Sequence, residues 1–178
     1  MIAFGQENVT TVAVLGSGLI GSGWAARFLA HGLDVRAWDP DPAAEKGLRE
    51  NVERAWPLLT ELGVSEDADQ ERLSFEPSME RCLTGAQFVQ ENAPDDVGIK
   101  REIIASASRV CGADVIIASS SSGIRPSLLQ DEARHPGRIL VGHPFNPVYL
   151  LPLVEVVGGE QTTDSTIAWA CAFYRALG

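Results

Sequence analysis

Thr11-Val12-Ala13-Val14-Leu15-Gly16-Ser17-Gly18-Leu19-Ile20-Gly21 decides the fold of this chain. Its first five residues are aliphatic or β-branched and read as a buried strand, Thr11–Leu15. From Leu19 to His31 the period changes. Ile20, Trp24 and Phe28 recur at every fourth position, which predicts a helix with one apolar face. His31-Gly32 ends that helix, because glycine accepts the left-handed backbone that often follows a helix C-terminus. Between strand and helix stands G-x-G-x-x-G. In this setting Gly16 permits the tight turn, Gly18 lets the backbone approach a diphosphate, and Gly21 lets helix and strand pack closely. Ser17, Leu19 and Ile20 complete the loop, and the helix N-terminus presents N–H groups to the phosphates. The pattern therefore predicts a dinucleotide site. Asp34–Trp38 reads as the second strand, and Asp39 ends it. A carboxylate there accepts hydrogen bonds from ribose hydroxyls and repels a 2′-phosphate. No arginine follows it directly, which favours NAD over NADP.

Further along, short β-rich runs keep alternating with helical patterns. Asp41–Leu62 reads as a helix with Leu48, Val52, Ala55 and Leu59 inward, and Pro57 is expected to kink or split it. Leu73–Phe75, Phe88–Glu91, Val115–Ala118, Ile139–Gly142 and Leu153–Val157 read as strands. Ser78–Leu83, Asp95–Ala107 and Thr163–Leu177 read as helices, the last with Ile167, Cys171 and Tyr174 on its apolar stripe. This succession implies an α/β protein of Rossmann type: one domain over residues 1–178, with a doubly wound, mainly parallel sheet and helices on both faces. In the strand order 3-2-1-4-5-6 the ligand crevice lies where strands 1 and 4 diverge. Strand 4 runs into Glu91-Asn92-Ala93-Pro94-Asp95, which is expected to face the glycine loop across the cofactor. Lys100 is expected to meet the diphosphate or Asp95.

Two further segments fall at the same edge. Strand 5 ends in Ser119-Ser120-Ser121-Ser122, a set of hydroxyl donors and acceptors. Strand 6 ends in Gly142-His143-Pro144-Phe145-Asn146-Pro147, and Glu155 follows in the next strand. Oxidising an alcohol requires a base for the hydroxyl proton, and imidazole is the side chain that titrates near neutrality. A carboxylate on its second nitrogen fixes the tautomer and stabilises the imidazolium. If strands 6 and 7 fold back around Pro144–Pro152, His143 and Glu155 meet. His31 and His135 fit a helix end and a turn, and no residue set has metal-ligand spacing.

The net charge is −10 with only two lysines, Lys46 and Lys100, so no basic face invites nucleic acid. The acidity also disfavours a polyanionic substrate and mildly favours a cationic one. No apolar run has membrane-spanning length. The first ten residues lack the pattern of a secretory leader, so a cytoplasmic location is expected. Cys82, Cys111 and Cys171 are odd in number and widely spaced, which predicts three packed thiols rather than a disulfide frame.

These motifs resemble the NAD-binding domain of the 3-hydroxyacyl-CoA dehydrogenase superfamily over essentially the whole chain. Gln90–Pro94, Ser119–Ser122 and Gly142–Gly159 are most similar to the branch that oxidises L-carnitine. The resemblance implies that His143 is the catalytic histidine, Glu155 its partner and Ser122 the serine bonded to the substrate oxygen. It further implies that Asn146 lies near the nicotinamide and that Glu91, Asn92, Ala93, Asp95 and Lys100 belong to the cofactor site. Ser120 stands where the acyl-CoA branch has asparagine, Pro144 where it has phenylalanine, and the coenzyme A-binding lysines of that branch have no counterpart. The resemblance also implies a C-terminal helical domain, outside this chain, that builds a homodimer and closes the cleft. A related 3-hydroxyacyl-CoA or hydroxy-acid dehydrogenase, or an NAD-binding module without turnover, are the alternative readings.

Overall fold

A computed structural model describes residues 2–4 and 7–178. Met1, Gly5 and Gln6, part of the segment read above as lacking a leader, lie outside the described residues. Strands β1 (Ile2–Phe4) and β2 (Glu7–Val9) form a small antiparallel pair. The chain then enters a seven-stranded sheet through β3 (Thr11–Leu15), helix α1 (Leu19–Ala30) and β4 (Asp34–Trp38). Next come α2 (Ala44–Leu62), β5 (Leu73–Phe75), α3 (Met79–Leu83), β6 (Phe88–Glu91) and α4 (Val97–Val110). The rest comprises β7 (Ile116–Ser119), α5 (Pro126–Gln130), β8 (Ile139–Pro144), β9 (Val154–Gly158) and α6 (Asp164–Ala176).

The spatial order is β5-β4-β3-β6-β7-β8-β9. Every neighbouring pair is parallel except β8–β9, which is antiparallel. The doubly wound expectation therefore holds, with the point where the strand order switches from one side of the sheet to the other lying between the parallel strands β3 and β6, as expected.

Alternation along the strands sorts the core into two layers. Val12 and Val14 of β3 join Trp24, Phe28, Leu48, Leu59, Phe173 and Tyr174 on the face covered by α1, α2 and α6. Ala13 and Leu15 join Cys82, Leu83, Ile104, Ala107 and Leu129 on the face of α3, α4 and α5. The first layer is aromatic: Trp24 stacks on Phe28 at 5.3 Å, and Phe88 meets Phe173 at 4.4 Å between centroids.

Two local expectations are corrected. Pro57 does not split α2, which runs unbroken from Ala44 to Leu62. The proline sits on the exposed side, where one missing backbone bond is tolerated beside the buried row Leu48, Val52, Ala55 and Leu59. On helix α6 the expected stripe holds at Tyr174, which is buried with Thr166, Ala170 and Phe173, whereas Ile167 and Cys171 are only partly buried. All residues from Ile167 to Tyr174 are apolar, so the phase is chosen by the aromatic layer and not by the helix's own period.

Candidate active site

The loop between β3 and α1 is built as its glycines require. Gly16 has φ +86°, and a Cβ there would come within 2.8 Å of the Asn92 carbonyl group. A Cβ on Gly21 would collide with the Gly16 carbonyl oxygen, so this glycine is what lets α1 close onto the strand end. Gly18 has open space before its Cα. It caps α1 without a side chain, and no acidic residue occupies the first turn, which leaves the helix N-terminus free for an anion. Asp39 follows β4 and accepts 2.8 Å and 3.0 Å hydrogen bonds from the N–H groups of Ser17 and Asp41. It thus ties the second strand's end to the glycine loop. An open cradle with an acid at its ribose end fits NAD.

A cavity of about 320 Å³ opens beside this loop. Ile20, Asn92, Ala93, Asp95, Ser122 and His143 line it, so residues from four sequence segments are brought together as expected. Lys100 reaches the same wall, but its charge is committed elsewhere. Its Nζ lies 3.0 Å from both carboxylate oxygens of Glu91, and the two side chains are 1% and 0% exposed. Glu91 also accepts from the Ser119 hydroxyl at 2.6 Å and the Ala93 N–H at 2.6 Å. The reason is parity. Glu91 follows Val89 onto the α4 face of the sheet, where Lys100 descends from α4. Glu91 therefore does not line the cavity; it props up the loop that does.

The serine run divides in the same way. Ser119 and Ser121 are buried, while Ser122 is exposed at the cavity. Ser121 and Ser122 donate to Asp95 at 2.6 Å and 3.3 Å. Partial burial raises the Asp95 pKa, but the Ser121 hydrogen bond and the nearby Lys100 charge outweigh it, so the carboxyl sits below its ordinary value.

His143 lies within β8, directly opposite Glu155 of β9 in the antiparallel register. Nδ1 of His143 is 2.9 Å from Oε2 of Glu155. Because a carboxylate only accepts, Nδ1 carries the hydrogen and Nε2 keeps its lone pair. The imidazole is about a quarter exposed (23%), within reach of a small molecule. Phe145 stands 5.4 Å from the imidazole centroid. On the far side of His143 a second cavity of about 210 Å³ is lined by Ser122, Arg125, Glu155 and Val157. Asn146 lies apart from both, with Leu19, Gly23, Asn51 and Tyr149 in a smaller recess of about 120 Å³ beside α1. Among the described residues no group of three or more His, Cys, Asp or Glu side chains could hold a metal.

Sequence reasoning passed over one group. Gln90, Ser120, Trp24 and Tyr174 form a polar cluster behind Asn92, buried except at Ser120. The available signal was Gln90 itself, a polar residue inside a strand whose four residues are all buried.

Fold and cradle together define a dinucleotide-binding domain of Rossmann type. The family description that matches residues 11–178 is "3-hydroxyacyl-CoA dehydrogenase, NAD binding domain", and the chain belongs to that family. It is 55% identical over 171 residues to an L-carnitine dehydrogenase of Pseudomonas aeruginosa, covering 96% of this chain and 53% of that protein. A Bacillus cereus L-carnitine dehydrogenase is 43% identical over 173 residues, covering 97% and 53%. The chain thus spans about half the length of the curated relatives it matches. Among solved structures, a 5-formyl-3-hydroxy-2-methylpyridine-4-carboxylic acid 5-dehydrogenase superposes with TM-score 0.88 at 32% identity, covering 96% of this chain and 56% of that one. The 3-hydroxybutyryl-CoA dehydrogenase of Escherichia coli superposes with TM-score 0.88 at 27% identity, covering 97% and 37%. No helix among the described residues is long and apolar enough to cross a membrane.

Proposed function

We propose that this chain is the NAD-binding half of a dehydrogenase that converts L-carnitine to 3-dehydrocarnitine. The observation that carries the reading is the 2.9 Å His143–Glu155 pair at the edge of the cradle cavity. NAD, when bound, supplies the two-electron oxidant that takes a hydride from the carbinol carbon. Gly16, Ser17, Gly18, Leu19, Ile20 and Gly21 would hold its diphosphate, Asp39 its adenosine ribose, and Asn92, Ala93 and Asp95 its nicotinamide side; Asn146 sits in the separate recess beside α1. Glu91 and Lys100 serve this site from beneath, through the loop they support.

The side chains of the chain handle the proton. His143 Nε2 accepts the hydroxyl proton, since its lone pair is free while Nδ1–H points at Glu155. The Glu155 carboxylate then faces the imidazolium across 2.9 Å and stabilises the charge that has formed. Ser122, whose hydroxyl is only 3.3 Å from Asp95 Oδ2, turns that hydroxyl to the substrate oxygen.

The choice of L-carnitine over an acyl-CoA is supported by the names of the relatives at 43–55% identity. The net charge of −10 also suits a substrate that carries a cationic group rather than several phosphates. The reading includes a second, helical domain beyond these residues, a homodimer built through it, and a cytoplasmic location. The greater length of the relatives supports the further domain. So does a cluster of exposed apolar side chains, Leu150, Leu151, Leu153 and Val157, beside the site.

NADH formation at 340 nm, measured with the whole protein and a panel of L-carnitine, 3-hydroxyacyl-CoA thioesters and sugar acids, tests the reading. L-Carnitine is expected to be the preferred substrate. His143→Ala is expected to lower kcat by roughly 10²–10⁴-fold with NAD affinity nearly unchanged. Retained turnover in that variant would refute the assignment of the base. Preference for a thioester would move the chain to the acyl-CoA branch, and NAD binding without turnover on any substrate would leave a binding module.

A further inference from the structure

On the α6 face of the sheet a chain of polar groups, buried at Tyr174, Gln90 and Trp24 and reaching the cofactor cavity at Ser120 and Asn92, runs from the last helix to the glycine loop. Tyr174 Oη lies 2.6 Å from Gln90 Oε1. Gln90 Nε2 lies 2.9 Å from Ser120 Oγ and 3.3 Å from the Gly142 carbonyl oxygen. Trp24 Nε1 reaches the same Ser120 oxygen at 3.2 Å, and Ser120 Oγ is 2.6 Å from Asn92 Oδ1. Asn92 Nδ2 ends the chain on the carbonyls of Gln90, at 2.9 Å, and Leu15, at 3.3 Å.

Every hydrogen in this chain has a forced direction. The Gly142 carbonyl can only accept, so the Gln90 nitrogen faces it and the Gln90 oxygen faces Tyr174. Tyr174 must therefore donate. Ser120 receives hydrogens from Gln90 and from the indole of Trp24, which can only donate, so its single hydrogen goes to Asn92. Asn92 must then turn its nitrogen to the two backbone carbonyls. One of these belongs to Leu15, the residue before Gly16, and the Asn92 N–H binds the same carbonyl at 2.7 Å. The network is complete, with no member in two minds, and low-dielectric surroundings make such completeness count. Gly142 belongs to it as well: a Cβ there would collide with the Tyr174 hydroxyl.

We infer that Tyr174, Gln90 and Ser120 are positioning residues for NAD: they lock the amide of Asn92, and with it the wall of the cofactor cavity that abuts Gly16. Tyr174 acts at a distance. It does not line the cradle cavity, whereas Asn92 and Ser120 do. Without the phenol hydroxyl, Gln90 Oε1 is a buried acceptor with no donor, and the amide is released. Ser120 then loses one of its two donors and keeps only the Trp24 indole, so its hydrogen is no longer forced toward Asn92. The effect is confined to the Asn92 side of the cradle, because Asp39 and the β4 end are held by separate bonds to Ser17 and Asp41.

The inference rests on the NAD reading above, and calorimetric titration of this chain with NAD and, separately, AMP tests it. Tyr174→Phe is expected to weaken NAD binding about tenfold while AMP binding stays within about twofold. Ser120→Ala, at the other end, is expected to do the same, and should Tyr174→Phe fail to fold it carries the test alone. The double variant is expected to be no weaker than either single change by more than about twofold, because both break one chain. NAD affinity unchanged in both variants, or NAD and AMP weakened alike, overturns the inference; the second result is what mere structural damage produces. A wild-type chain that binds no NAD overturns the cofactor reading itself, and this inference with it.

Discussion

Replacing Lys100 with methionine removes one charge from the molecule's most deeply buried ion pair while nearly conserving side-chain volume. Lys100 and Glu91 are 1% and 0% exposed, and two contacts of 3.0 Å join them. In the variant, Glu91 keeps the Ser119 hydroxyl and the Ala93 N–H, but its charge has no cation nearby. Removing one partner of a buried pair costs about 3–5 kcal/mol, and the two surviving donors put the expectation at the lower end, about 3 kcal/mol. Urea unfolding followed by the fluorescence of the four tryptophans measures it. With a slope of about 2 kcal/mol/M, the midpoint is expected to fall by about 1.5 M. Adding Glu91→Gln to Lys100→Met neutralises the orphaned carboxylate and is expected to recover at least half of the loss. A midpoint shift below about 0.3 M in the single variant, or a double variant as unstable as the single, would show that the pair does not support the loop as described.

Two more expectations follow from the titrating groups. Asp95 sits below its ordinary 3.8, and a carboxyl depressed in the folded state contributes stability above that value and loses it as pH falls through the folded pKa. Ser121→Ala removes the largest opposing hydrogen bond, so a carbon-detected NMR titration is expected to show the Asp95 pKa moving upward; no movement would refute the Ser121 contribution. Burial pushes the Cys82 thiol up to about 12 and Cys111 up to about 11, which keeps both protonated near neutrality. Of the three cysteines, only the partly exposed Cys171 is expected to react with a disulfide reagent in the native chain at pH 8, as a thiol count reads directly.

The order of the sheet was legible because its strands are almost purely apolar and are punctuated by glycine and by helical spacing. The glycine loop, Asp39 and the His143–Glu155 pair were legible for a related reason: each depends on local spacing. What sequence could not place was parity and depth. Glu91 was expected to face the cofactor because it ends strand 4 at the carboxyl edge, and Lys100 to meet the diphosphate or Asp95; Lys100 does act on Asp95 by its charge. One residue of alternation sends Glu91 to the α4 face instead, where it buries Lys100. Gln90, its neighbour, goes to the opposite face and finds Tyr174, a partner 84 residues away that no spacing rule could name. The stripe of α6 was right at Tyr174 but not at Ile167 and Cys171. With apolar residues nearly all round, only the aromatic layer decided which of them turned inward.

The antiparallel β8–β9 pairing also bears on the order in which the molecule assembles. His143 and Glu155 are 12 residues apart in the chain, joined by a hairpin, whereas Asp39 and Ser17 are 22 apart and Tyr174 must travel 84 residues to Gln90. Short loops close with the least entropy loss, and parallel crossovers come later. On that ground the β8–β9 register that sets His143 opposite Glu155 is expected to form before the parallel pairings around it.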